Sequence, residues 1–205
     1  MFDHMPRQKV LVSGSTGLIG MQLCAFLAAA GHEITRLVRP TTKLPPDASN
    51  DAVIVWDDVK GVILEGDLNG FDTVIHLAGA GIGDKRWNKQ RKELIETSRT
   101  IPTKNLATLL AGLHQPPKAF LSGSAIGFYG NRGDEELTES SEGGDNFLAG
   151  TVRRWEESAQ PAADAGIRTA WMRTGIVVTP MGGALKKLLL PANLGAGGPV
   201  GGGKQ

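Results

Sequence analysis

Short apolar runs alternate along the chain with longer stretches in which apolar residues recur every three or four positions. The β-rich runs fall at Lys9–Ser13, Glu33–Val38, Ala52–Trp56, Thr73–Leu77, Lys118–Ser122 and Thr169–Val178. Three of them, VLVSG, VIHLAGA and FLSGS, are apolar on both faces, the pattern of central strands covered by helices on each side. Helical spacing marks Met21–Ala30, Trp87–Leu113 and Asn146–Ala165, the last with Phe147, Val152, Trp155 and Ala159 along one side. Strands separated by crossover helices predict an α/β fold built on a doubly wound parallel sheet, with ligands gathering at the C-terminal strand ends. Pro102 interrupts the second helical stretch. An internal proline costs about 3 kcal/mol, so a kink or break is expected there.

The segment Lys9–Gly20, KVLVSGSTGLIG, joins the first strand to the first helix through Gly14, Gly17 and Gly20. A helix starting at such a turn presents unpaired N–H groups and a partial positive charge, which suits the pyrophosphate of a dinucleotide. Glycine removes the Cβ that would hold phosphate or strand away from the backbone. The spacing G-x-x-G-x-x-G, with a strand before it and a helix after it, assigns Gly14, Ser15, Thr16, Gly17, Leu18, Ile19 and Gly20 to cofactor binding. The ends of later strands add Leu77, Ala78, Gly79, Ser122 and Arg173.

At the end of the second strand, an NAD site would carry a carboxylate for the adenosine ribose. Here Val38 is followed by Arg39, with Arg36 earlier in the strand. Arg39 therefore points to the 2′-phosphate of NADP, with NAD as the alternative cofactor. A second reading keeps Arg39 as a surface arginine stacked on the adenine, since guanidinium groups lie on rings as well as forking to phosphates.

Composition narrows the partners. The 205 residues are 40% hydrophobic and 21% charged with a formal net charge of +1, which predicts one globular domain and argues against nucleic acid or an anionic membrane as main partner. Cys24 is the single cysteine and forms no internal disulfide. The N-terminal MFDHMPRQ is polar and too short for a signal peptide, and the apolar stretch Leu18–Ala30 is interrupted by Gly20 and Gln22, so a reducing, cytoplasmic setting is expected. Gly198–Lys204 matches G-x-x-x-x-G-K, but Gln205 replaces the Ser or Thr of a P-loop and no strand leads in. Ser122–Gly127 fails the Gly-x-Ser-x-Gly frame of a nucleophile elbow, and no Cys/His cluster has metal spacing.

The blocks GSTGLIG, VIHLAGA, KRWNKQRKELIETSR, SGSAIGFYG, RRWEESA and RTGIVVTPMGGAL, in this order, resemble the extended short-chain dehydrogenase/reductase superfamily. More narrowly they resemble its atypical NAD(P)-dependent epimerase/dehydratase branch, the one labelled sugar nucleotide epimerase or cell-division-inhibitor-like. The resemblance implies an NAD(P)-binding domain followed by a smaller substrate domain, and a serine with a Tyr-x-x-x-Lys pair as catalysts. Ser124 matches the serine. Phe147 and Thr151 stand where tyrosine and lysine belong, and a phenyl ring has no proton to transfer.

Three substitutes are open. Tyr129, the single tyrosine, is either a proton donor or structural. Arg154 either lends charge to the site or is solvated or paired with a glutamate, and His76 is a core histidine or a catalytic one. Ser98, followed by Arg99, replaces the superfamily's helix asparagine. The adenine-contacting Asp-Leu pair resembles Asp67-Leu68, which leaves no room for the intervening helix, so Asp57 after Trp56 is preferred.

The expected organisation is an extension over 1–8, a Rossmann-like domain over 9–180 and the start of an incomplete substrate region over 181–205. Three functional readings follow: an NADP-dependent oxidoreductase or epimerase acting on a small polar, sugar-nucleotide-like substrate, a non-redox NADP-binding sensor or interaction protein, or a fragment without independent function. A small-molecule substrate and a monomer or homodimer are expected.

Overall fold

Along β1 (Lys9–Ser13) the side chains divide between two interiors. The computed structural model describes residues 6–48, 51–195 and 198. Most of the expected 1–8 extension, part of the 181–205 region and all of Gly198–Lys204 but its first residue lie outside the described residues. The chain falls into two compact units, 1–174 and 175–205.

In the first unit, β1 leads to α1 (Leu18–Ala29), β2 (Glu33–Val38), β3 (Ala52–Asp57), β4 (Val62–Glu65), β5 (Thr73–His76), α2 (Lys89–Ala111), β6 (Ala119–Ala125), α3 (Phe147–Glu157), α4 (Gln160–Asp164) and β7 (Arg168–Thr174). The sheet order is β4-β3-β2-β1-β5-β6-β7. Every pair is parallel except β3 with β4. Val10 and Val12 of β1 pack with Ile34, Ile75 and Cys24 of α1. Leu11, between them, packs with Leu37, Trp56, Val74 and Phe120 and with Leu106 and Leu110 of α2 and Ala162 of α4. The period-2 alternation of a strand thus gives the sheet helices on both faces, and β1 and β5 lie at its switch point.

Four expectations are corrected. β4 was not foreseen, because its VILE run is largely exposed and lacks a two-sided apolar signal; it returns from β3 in a hairpin that replaces a crossover helix. α2 runs through Pro102 without the break that was one of the two outcomes expected there. Ile95, Leu106, Ala107 and Leu110 are buried along it, and this packing offsets the lost donor. Asn146–Ala165 is two helices, parted at Ser158–Ala159. Pro161 has no N–H for the Glu157 carbonyl, and the Ser158 hydroxyl donates to Arg154 O at 2.6 Å. The last long strand stops at Thr174 instead of reaching Val178.

The second unit holds β8 (Val178–Thr179), which turns back antiparallel onto Gly182 and Gly183, and α5 (Gly183–Asn193). Among the described residues no helix is long and apolar enough to cross a membrane.

Candidate functional site

The turn between β1 and α1 is tight where it meets β5. Gly14 has φ 67°, and a Cβ there would come within 2.6 Å of the Leu77 carbonyl carbon and 2.7 Å of the Ala78 nitrogen. A Cβ on Gly20 would run into the Gly14 carbonyl, so two of the three glycines are required by backbone contact alone. Gly17 is exposed and caps α1 without a side chain; its N–H donates to Gly14 O at 3.0 Å. No acidic residue occupies the first turn of α1, so the positive end of the helix is not neutralised locally. Thr16 and Leu18 are half-buried beside it, Ile19 is exposed, and Ser15 is buried with no described partner for its Oγ.

Around this turn stand the other strand ends. Arg39 is exposed just past β2, and no described residue pairs with its guanidinium. Arg36 is buried, donating from Nη1 to Ser15 O at 2.9 Å and from Nε to Asp51 Oδ2 at 2.6 Å. Asp57 closes the β3–β4 turn by accepting the N–H groups of Val59 (3.1 Å) and Lys60 (2.9 Å). The Lys60 N–H bond is the main reason its carboxyl lies below the usual range. Leu77 donates to Ser13 O at 3.2 Å. Beyond it, Ala80 donates its N–H to Ser98 Oγ (3.1 Å) and accepts from Arg99 Nη2 (2.9 Å), while Arg91 donates to Gly81 O. Gly79 lies against the Arg99 side chain. Ser98 and Arg99, on α2, therefore hold the loop after β5 from beneath.

At the end of β6 the structure brings Ser124 and Tyr129 onto one network. Ser124 Oγ donates to Glu156 Oε1 at 2.5 Å, and the same carboxylate takes Arg173 Nε (2.8 Å) and Nη2 (2.9 Å). Arg173 Nη1 donates to the Tyr129 hydroxyl at 2.9 Å, and its guanidinium lies 3.6 Å from the centre of the Phe128 ring. Glu156 raises the already high pKa of Arg173 further. Register pairs Arg173 with Ser124 across β6 and β7, so Arg173 lies beyond Ser124 from the glycine turn. A cavity of about 480 Å³, lined by Ile126, Tyr129, Leu137, Thr138, Trp171 and Arg173 among others, opens beside the Tyr129 ring. Ser122 is fully buried, its hydroxyl 3.4 Å from the Gly123 carbonyl.

Glu156 was missed in the sequence. The available signal was its spacing: it follows Val152 by four and Ala149 by seven, both buried, so a carboxylate on that stripe demands a cationic partner.

The remaining substitutes resolve by contact. His76 is fully buried, shares a 2.5 Å hydrogen bond with Ser13 through Nδ1, and lies beside Trp56 and Phe120. Burial alone lowers its pKa to about 4. Arg154 forks onto Glu96 (2.8 and 2.6 Å). Phe147 meets Trp87 edge-on under the Lys92 ammonium, and Thr151 Oγ1 donates back to Phe147 O at 2.9 Å.

A parallel sheet with helices on both faces and a glycine turn at its switch point defines a Rossmann fold of the short-chain dehydrogenase/reductase kind. The chain belongs to the NAD dependent epimerase/dehydratase family, whose model matches residues 10–152. It is 33% identical over 201 residues to epimerase family protein Mb2239 of Mycobacterium bovis, covering 98% of this chain and 64% of that one. To epimerase family protein SDR39U1 of Homo sapiens it is 36% identical over 200 residues, covering 96% and 64%. The crystal structure of human SDR39U1 (isoform 2) with NADPH superposes with a TM-score of 0.81 at 35% identity, over 96% of this chain and 63% of that one. The nucleoside-diphosphate sugar epimerase of Corynebacterium glutamicum superposes at 0.75 with 40% identity, over 96% and 39%. The chain thus spans about 64% of the length of these curated relatives.

Proposed function

We propose that this chain binds NADP and forms the cofactor-holding part of an epimerase-family oxidoreductase or epimerase acting on a small polar, sugar-nucleotide-like substrate. The observation that carries the reading is the Gly14 turn, pressed against Leu77–Ala78 below a helix N-terminus with no side-chain cap and no acidic residue in its first turn. This cradle fits a dinucleotide: a side chain at Gly14 would displace the backbone, and the first N–H groups of α1 are left for an anion. Arg39, exposed and without a described partner, suits the 2′-phosphate, and the human relative was solved with NADPH. When bound, the nicotinamide supplies hydride exchange with a substrate carbon.

The chain's own residues provide the hydroxyls. The Ser124 proton is committed to Glu156. The Tyr129 oxygen accepts from Arg173, which leaves its own proton for a group in the adjoining cavity. Titration of NADPH and NADH, followed by tryptophan quenching, tests the cofactor: NADPH binds at least about tenfold tighter, a difference of about 1.4 kcal/mol. Equal affinities remove Arg39 from phosphate reading.

A second reading, a non-redox NADP-binding sensor, is favoured by one observation. Phe147 has no proton to give, and the Thr151 hydroxyl is spent on the Phe147 carbonyl. Reduced-nicotinamide absorbance during a screen of carbonyl compounds and sugar nucleotides separates the two readings. Tight binding without turnover on any of them supports the sensor.

A further inference from the structure

We propose that Arg36 is a positioning residue of the cofactor turn, aiming the Thr16 N–H at the pyrophosphate from beneath. The inference rests on the NADP reading of that turn.

Arg36 lies inside the sheet at the position of β2 that pairs with Val12, one residue before Ser13 and close under the turn. Its side chain is 6% exposed, and its fork is divided between Asp51 and the Ser15 carbonyl. The peptide joining Ser15 to Thr16 is planar and trans, so the Thr16 N–H projects opposite to the Ser15 C=O. A carbonyl drawn to a buried guanidinium sends that N–H away from it. Among the described residues nothing accepts it.

Asp51 keeps the guanidinium from turning and balances its charge, and Arg36 fixes the peptide against a flip. A flipped peptide would present the Ser15 oxygen to the phosphates, replacing an attraction by a repulsion. Arg36 and Arg39 therefore divide the work: Arg39 faces the 2′-phosphate that only NADP carries, whereas Arg36 acts on the pyrophosphate common to NADP and NAD.

The test measures dissociation constants of NADPH, NADH and 2′-AMP for the unaltered chain, Arg36→Met, Arg36→Lys and Arg39→Met. 2′-AMP carries the adenine and 2′-phosphate without a pyrophosphate. Arg36→Met weakens NADPH and NADH by the same factor, roughly tenfold or more, and leaves 2′-AMP unchanged, which also reports that the adenine side is folded. Arg36→Lys keeps the charge but cannot span Ser15 and Asp51 together, and falls between. Arg39→Met gives the opposite pattern, losing NADPH and 2′-AMP and keeping NADH. A loss at Arg36→Met confined to NADPH, an equal loss of 2′-AMP in both Arg36 variants, or unchanged dinucleotide affinity overturns the assignment. If the unaltered chain binds neither dinucleotide, the cofactor reading itself falls, a result distinct from any of these.

Discussion

Glu156 and Arg173 meet as a two-pronged ion pair, Nε to Oε1 at 2.8 Å and Nη2 to Oε2 at 2.9 Å, with Ser124 attached to the carboxylate and Tyr129 to the guanidinium. The pair is only 19% and 14% exposed, so removing one partner leaves the other charge largely out of water. Arg173→Met lowers stability by about 3 kcal/mol, the low end of the cost of breaking a buried pair. Urea denaturation reads this as a lower midpoint. Glu156→Gln loses less, because the amide oxygen still accepts, and the double variant loses less than the sum of the singles.

Gly14 and Gly31 share a left-handed backbone and differ in surroundings. Gly14 faces the Leu77–Ala78 backbone, while a Cβ on Gly31 (φ 87°) meets nothing within 4 Å. Gly31→Ala therefore carries only backbone strain of about 1–2 kcal/mol and keeps nucleotide affinity. Gly14→Ala adds a collision with the Leu77–Ala78 backbone just after β5 and abolishes binding of NADPH and NADH alike; a titration that finds it binding normally takes the turn out of the site.

His76 makes the protein acid-sensitive in a defined window. Its folded pKa of about 4 lies below the ordinary 6.5, so the unfolded chain takes up a proton that the native core refuses. Its contribution is complete above pH 6.5 and is lost as pH falls to about 4, a total of about 3 kcal/mol. Asp57, Asp67 and Asp72, held below the usual carboxylate value chiefly by hydrogen bonds, add their losses only under more acid conditions. Denaturation midpoints measured from pH 7 to 4 fall in the unaltered protein and stay flatter in His76→Asn.

The thiol of Cys24 is buried in α1 against β1 and β2, and burial pushes its pKa up. The raised pKa suppresses the thiolate, and burial keeps reagents away from it. A thiol reagent at neutral pH leaves the native protein unlabelled and modifies it stoichiometrically in denaturant; fast native labelling contradicts this packing.

β1 and β2 could be bounded to the residue, because their apolar runs end at glycine or charge and both faces are buried. The glycine turn was equally plain, since its spacing is local. β4 was not, being an edge strand whose existence depends on the Asp57 hairpin more than on its own hydrophobicity. The link from Ser124 through Glu156 and Arg173 to Tyr129 joins three separate segments, and nothing in any one of them names its partners. Arg36 read as a neighbour of Arg39 along one strand. Arg36 is buried with its guanidinium on Ser15 and Asp51, whereas Arg39, just past the strand, is exposed, a division that the tertiary contacts of Arg36 reveal.

The contact of Gly14 with Leu77 and Ala78 bears on the order of folding. Ser13 and His76, the residues just before these, are 63 positions apart, so the cradle cannot take its shape within a nascent β1–α1 hairpin. It appears only once a long loop has closed and β5 has docked, a slow, non-local step. Nucleotide capture during refolding is therefore a clock for sheet assembly: its onset follows the rise of helical signal and coincides with the closure of the central strands.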